Sequence, residues 1–181
     1  MGILTNRART GQSGPHYAGP MSFETAREHL ARHGRDGDII RTTESSATVA
    51  LAAAALGVEP ERIAKTIALY GREPDTAILV VAAGDARIDN AKFKAAFGVK
   101  ARMLRAEDVE RLTGHAPGGV CPFANPEGAQ VHLDASLRRF TTVFPAVGDA
   151  ASGIGLTLED LETIAEPLGW VDVAKEPSVD L

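Results

Sequence analysis

The sequence predicts an α/β fold: one domain built on a mixed β-sheet with helices packed around it. Three observations carry this reading. A continuous apolar run, Ala77-Ile78-Leu79-Val80-Val81, is too short for most helices and rich in strand formers, as a central strand buried on both faces should be. Helix-like segments that stop at Gly34, Gly57, Gly98 and Gly114 interleave with strand-like segments. The strand spacings are irregular, and the connection within Gln130 to Ala146 is short enough to predict an antiparallel pair there, so the sheet should be mixed. A chain of 181 residues fits one core and leaves too little length for two.

Ser22 is placed to cap a first helix through Phe23, Ala26 and Leu30, terminated at Gly34. The alanine-rich run Ala47 to Leu56 reads as a second helix, capped at Ser45 or Ser46, whose small side chains would let it lie flush against a sheet. Pro60 suits the first position of a short helical turn to Ala64, which hands over at Lys65 to a strand, Thr66 to Tyr70. After the strand Thr76 to Ala83, Asp89 or Asn90 caps a helix to Phe97, and a further helix spans Glu107 to Thr113. Strands are expected at Gln130 to Leu133, Thr141 to Ala146 and Ile154 to Leu156. Thr157 with Asp160 has the spacing of a capping box opening a last long helix to about Glu166, before a final strand at Trp170 to Val173. The folded domain is thus expected over 22–174, between an N-terminal arm (1–21) and a short tail (175–181). The first twenty residues, with four Gly, two Pro and no apolar stretch, resemble neither a signal peptide nor a packed element.

An apolar fraction of 44% and a charged fraction of 24% are those of a globular protein, and no apolar run approaches the roughly 20 residues of a membrane-spanning helix. One cysteine, Cys121, allows neither an internal disulfide nor a thiolate zinc cluster, so a reducing cytoplasm and no metal are expected. The net charge of −5 argues against tight nucleic-acid binding through the overall field. Yet the charge is segregated. Arg87, Lys92, Lys94, Lys100, Arg102 and Arg105 fall within one stretch that holds a single acid, Asp89, whereas Thr157 to Leu181 carries seven acids against Lys175 alone. Lys92, Lys94, Lys100 and Arg102 are therefore candidates for docking a polyanion. A solvated helix face with ordinary lysines accounts for them equally well.

No nucleophile elbow, zinc-protease helix or phosphate-binding loop occurs. The segment His115-Ala116-Pro117-Gly118-Gly119-Val120-Cys121-Pro122-Phe123 stands out, because two adjacent glycines sit between prolines. Glycine lets a ligand approach main-chain N–H groups, proline restricts the flanks, and consecutive amides can cradle an oxyanion. By itself the segment also reads as a tight turn. Lys65 lies in an otherwise apolar stretch, where it must either snorkel or meet a ligand as a point charge. Asp134 opens Asp134-Ala135-Ser136-Leu137 and fits a helix cap as well as a ligand contact.

Taken together, Leu56-Gly57-Val58, Ile63-Ala64-Lys65-Thr66-Ile67, the segment Thr113-Gly114 to Phe123, and Leu133-Asp134-Ala135-Ser136-Leu137 with Phe140 resemble the YbaK/prolyl-tRNA synthetase associated domain family in order and spacing, from roughly Ser22 to Trp170. The resemblance implies a curved mixed sheet flanked by helices, no cofactor, and hydrolysis of a mischarged tRNA. It implies a catalytic role for Lys65, Gly118 and Gly119, and substrate contacts from Thr66, Val120, Cys121, Pro122, Asp134 and Ser136. It also implies a small amino acid of the Ala, Ser or Cys class, on tRNA-Pro by family analogy, and a prolyl-tRNA synthetase as a possible partner. A methyl group on Gly119 is then expected to obstruct the ester, and Cys121, with no histidine adjacent in sequence, to serve packing. The rival reading is a non-catalytic module that binds aminoacyl-tRNA or a synthetase.

Overall fold

The computed structural model describes residues 21–177; the N-terminal arm before Met21 and the last four residues lie outside them. Helix α1 spans Met21–Arg32, β1 Ile40–Arg41, α2 Val49–Leu56, β2 Ile63–Tyr70, β3 Ala77–Ala83, β4 Arg87–Ile88, α3 Asn90–Phe97 and α4 Ala106–Thr113. There follow β5 (Ala129–Asp134), β6 (Thr142–Pro145), β7 (Ser152–Gly153), β8 (Leu156–Thr157), α5 (Leu158–Ala165), β9 (Gly169–Val171) and β10 (Ala174–Lys175).

Six strands form the central sheet in the order β8-β6-β2-β3-β5-β9. Strands β2 and β3 pair antiparallel over their full length, with Lys65 opposite Ala82, whereas β2–β6, β3–β5 and β5–β9 are parallel and β6–β8 antiparallel. The mixed sheet is as expected. All seven residues of β3 are buried, the consequence of an apolar run with no polar face to turn to water. The expected antiparallel pair within Gln130 to Ala146 does not form: β5 and β6 lie on opposite sides of the β2–β3 pair. The link between them is a 3-10 turn, Ala135–Arg139, that crosses the end of the sheet, and strands so separated have no shared ladder.

Local chemistry sets the helix ends. Asp89 caps α3 by accepting from the Ala91 and Lys92 amides, and Gly57, Gly98 and Gly114 end α2, α3 and α4 in the left-handed region. Thr48, not Ser45 or Ser46, caps α2. The box at Thr157 is half made. Its hydroxyl accepts from the Asp160 amide, but the Asp160 carboxylate turns away to Arg35 at 2.6 Å, and α5 is only eight residues long. Ser22 does not cap α1, which starts one residue earlier. Its hydroxyl lies buried between His115 Nδ1 (2.8 Å) and the Gly148 carbonyl (2.5 Å), engaged by these tertiary partners rather than by the amides of α1.

Two differences bear on function. The helical turn at Pro60 ends at Arg62, so β2 begins at Ile63 and Lys65 sits inside the strand rather than at its start. Helix α2 does not lie flush on the sheet: Ala53 is its one buried residue and Leu51 is 52% exposed. Val49, Ala52 and Leu56 turn toward β2 without closing on it, and the gap beneath them is a cavity. Of the short strands expected near the C-terminus, Ile154 to Leu156 is replaced by β7 and β8. The last strand splits into β9 and β10, the latter pairing with β4.

Candidate active site

The cavity holds about 220 Å³ between α2, the first half of β2, the end of β6 and the glycine loop. Position along β2 decides what it contains. Because β6 pairs with β2 only at Ile63 and Ala64, the backbone of Lys65 and Thr66 is free of that neighbour, and both line the opening. Lys65 is half-buried. Its Nζ does not snorkel to bulk water but donates to the Gly84 carbonyl at 3.0 Å. Burial lowers the pKa of its ammonium below the ordinary lysine value, an effect that Asp85 opposes and Arg87 reinforces. Asp85 is itself held as a carboxylate by Arg139, whose Nη1 lies 3.0 Å from Oδ2. The lysine therefore has one neutral partner and a nearby acid committed elsewhere, which leaves its charge available to an anion entering the cavity.

Gly118 and Val120 line the same cavity. Gly118 has φ +86°, a left-handed conformation that other residues adopt at a cost. Gly119 is buried and faces away. A Cβ there would stand 2.5 Å from the Gly148 carbonyl oxygen and 2.7 Å from Asp149 Cα, so glycine is required because the 148–149 backbone passes directly behind the loop. The expectation that such a methyl would strike the ester has the wrong neighbour. The Gly119 amide is also committed, donating to the Ala116 carbonyl at 2.9 Å. The amides of Gly118 and Val120 have no acceptor among the described residues and belong to the two residues that reach the cavity.

Cys121 is fully buried and outside the cavity lining. A histidine is near after all: His115 Nε2 lies 3.4 Å from Sγ, a proximity not legible when the two are six residues apart in a loop. That nitrogen donates to the Phe123 carbonyl at 2.7 Å and so is not free to take a proton. Burial pushes the thiol up to about 12 and lowers the His115 pKa, the reverse of an activated thiolate–imidazolium pair. Pro122 lines a separate depression of about 410 Å³, more open to solvent, beside α1 and α5.

Asp134 and Ser136 stand at the end of β5, away from the cavity lining. Asp134 accepts from the amides of Ser136, Val173 and Ala174, and the Ser136 hydroxyl accepts from the Ala83 amide. Both tie the 3-10 turn and the C-terminal segment to the sheet. His132 shares the face of Asp134, as two residues of spacing require, but that face packs on α3, with Phe97 5.0 Å from the imidazole. Of the basic cluster, Lys92 pairs with Asp172 at 2.8 Å, so an acid of the C-terminal region partly neutralises it. Arg102 stacks on Tyr70 at the far end of β2, five residues, or roughly 17 Å, from Lys65. Lys94 and Lys100 are exposed.

Sequence reasoning missed three parts of the site. Val49, Ala52 and Leu56 form one wall, legible as a helical stripe but not as a cavity. Phe144 forms another, its ring held by Arg62 at 5.3 Å and by Gly155, where a Cβ would stand 2.9 Å from the ring. Asp149 supplies the one acid of the lining. Among the described residues no group of three or more His, Cys, Asp or Glu side chains is placed to hold a metal ion, and no helix is long and apolar enough to cross a membrane.

A lysine and free loop amides at one small cavity, on a sheet of this order, coincide with the match of residues 43–164 to the aminoacyl-tRNA editing domain. The chain belongs to that family. Its activity is aminoacyl-tRNA deacylation, hydrolysis of an ester bond, and its substrate is a mischarged tRNA. It is 47% identical over 156 residues to the uncharacterised protein YwhH of Bacillus subtilis (strain 168), covering 86% of this chain and 99% of that one. It is 28% identical over 108 residues to a protein of Enterococcus faecalis described as "Putative Cys-tRNA(Pro)/Cys-tRNA(Cys) deacylase EbsC", covering 59% and 65% of the two chains. A solved structure described as "a putative trans-editing enzyme for prolyl tRNA synthetase" superposes with a TM-score of 0.75 at 26% identity, covering 85% of this chain and 97% of the other. The resemblance read from the residues, the fold and the hydrolase class therefore stand.

Proposed function

We propose that this editing domain removes a small amino acid, of the alanine, serine or cysteine class, from tRNA-Pro, acting in trans on product released by a prolyl-tRNA synthetase. The observation that carries the reading is the cavity itself: about 220 Å³, closed on one side by Phe144 and on another by α2, with Lys65 and the Gly118 and Val120 amides in its lining. The descriptions of two relatives, one naming Cys-tRNA(Pro) and the other a prolyl tRNA synthetase, support the choice of tRNA.

In this reading the ester carbonyl lies against the loop amides, which donate to its oxygen as it becomes an oxyanion; one such donor lowers the barrier by ~3 kcal/mol. Lys65 holds the phosphate of the terminal adenosine or adds its charge to the same oxyanion. Water attacks the carbonyl carbon, the bond to the ribose oxygen breaks, and the proton lost by the water passes to the departing oxygen through the vicinal ribose hydroxyl. The ester is already activated, so neither a side-chain nucleophile nor a triad is needed. Selectivity comes from size: a synthetase separates side chains differing by one methylene by only ~1–3 kcal/mol, and a second, smaller site that excludes the correct product completes the discrimination.

The test is deacylation of a panel of tRNA-Pro charged with alanine, serine, cysteine or proline. The expected result is turnover of at least one of the first three and none of prolyl-tRNA-Pro. Turnover of the proline ester at a comparable rate would overturn the size-exclusion reading. The docking of the tRNA body on Lys92, Lys94, Lys100 and Arg102 belongs to this proposal, with Lys94 and Lys100 having no ion-pair partner among the described residues.

A further inference from the structure

The cavity lining contains two charged side chains, Lys65 on β2 and Asp149 on the loop after β6. An aminoacyl ester carries one fixed positive charge of its own, the α-ammonium, on the carbon next to the carbonyl. The group that meets it must therefore stand beside whatever meets the carbonyl. Asp149 does: it shares the cavity lining with Gly118 and Val120, the two residues whose amides are free, and its backbone packs behind Gly119 between them. We infer that the Asp149 carboxylate binds the α-ammonium of the substrate and so selects aminoacyl esters over other acyl esters; this rests on the deacylase reading of the cavity.

The carboxylate is built for a fixed position. Oδ1 accepts from the Ala151 amide at 2.9 Å and lies 2.6 Å from the Ser152 hydroxyl, while Oδ2 takes one contact, from Arg41 Nη1 at 2.7 Å. An ionised carboxylate offers about four acceptor positions, so one remains on Oδ2 for an ammonium donor. The side chain is 28% exposed, enough to be reached and shielded enough for a charge-assisted hydrogen bond to matter. Its loop is anchored from outside: the Thr42 amide donates to Ala151, and the Ser46 amide and hydroxyl both meet the Ala150 carbonyl. Arg41, 52% exposed and stacked on Phe23 at 4.0 Å, takes one of the acceptor positions of Oδ2.

The alternative role for Asp149 is purely to hold its loop, and the test separates the two. Calorimetric binding is measured for 3′-alanylamino-3′-deoxyadenosine, a non-hydrolysable amide, and for its propionyl counterpart, which lacks the amine and is otherwise the same. The wild type should bind the ammonium ligand at least about tenfold more tightly. Asp149→Asn, which keeps an oxygen for Ala151 and Ser152, should bring the two ligands within about twofold. Arg41→Ala should retain the preference. A wild type that does not distinguish the ligands overturns the assignment irrespective of how any variant folds. So does an Asp149→Asn protein that keeps the preference, or an Arg41→Ala protein that loses it equally. Hydrolysis of alanyl-tRNA is measured alongside: its absence with the ligand preference intact would strike the deacylase reading and leave the ammonium site standing.

Discussion

Replacing Gly119 by alanine tests how the loop is held. The new Cβ would stand 2.5 Å from the Gly148 oxygen, 2.7 Å from Asp149 Cα and 2.8 Å from the Gly148 carbon, all backbone atoms that cannot rotate away. Ordinary contact begins near 3.4 Å, so the two segments must part by roughly 0.9 Å (3.4 less 2.5). Overpacking of this kind costs about 1–3 kcal/mol. In a domain of this size each kcal/mol lowers Tm by ~2–4 °C, so a fall of several degrees is expected, measured by calorimetry. The same displacement moves the Val120 amide from where a carbonyl would meet it, and a misplacement near 1 Å can cost ~10²-fold in rate. Single-turnover deacylation should therefore drop at least tenfold at a temperature where the variant is still folded. A Tm within one degree of wild type and a rate within twofold would refute the packing argument, because a methyl at that position would then have found room.

Further outcomes follow from the same geometry. Cys121→Ser should deacylate at close to the wild-type rate, and the native thiol should resist alkylating reagents, since burial raises its pKa to about 12 and it does not reach the cavity; a dead variant would point to covalent chemistry instead. Phe144→Ala should open the cavity and raise the rate on a larger aminoacyl ester by about 10- to 200-fold relative to the alanyl ester, the span that one methylene in an apolar pocket controls; unchanged selectivity would remove Phe144 from the sieve. His115 is held neutral by burial, with its pKa below 6.5, and His132 is shifted in the same direction. The unfolded chain then binds more protons than the native one below that value, so stability should fall as pH drops below about 6.5, by at most ~1.4 kcal/mol per pH unit per histidine. Urea titrations between pH 7 and 5 check this, and His115→Asn should flatten the slope if His115 carries it. The lowered pKa of Lys65 places the loss of enzymatic rate on the alkaline side below the ordinary lysine value of 10.5, after subtraction of spontaneous hydrolysis.

The central strand, the four glycine helix stops and the cap at Asp89 were all legible because each depends on residues close in sequence. The cavity was legible only in part. Lys65 and the glycine loop announce themselves as a charge in an apolar stretch and a pair of glycines between prolines. Their meeting depends on β6 ending its ladder at Ala64, which no local pattern encodes. Asp149 sits in Gly148-Asp149-Ala150-Ala151-Ser152, a composition that reads as an ordinary turn, and becomes visible only when Gly119 is found packed against it. The alanine run of α2 indicated close packing, yet what the fold makes of it is a wall that stands off the sheet. Asp134 runs the other way. Its place before Ser136 suits a cap and a ligand contact alike, and three amide donors show that it is engaged in holding the turn and the C-terminal segment.

The claim that the Lys65 cavity is where the ester is cleaved is tested most directly by single-turnover deacylation of alanyl-tRNA-Pro with the wild type and Lys65→Ala, each with its Tm measured. Removal of a half-buried charge that meets developing negative charge should cost ~3 kcal/mol, about a hundredfold in rate. Because Nζ is bonded to one carbonyl and its charge is disfavoured by burial, the variant should melt no lower than about two degrees below wild type. A variant that retains the wild-type rate within a few-fold, or that loses rate only in step with a collapse in Tm, would contradict the account.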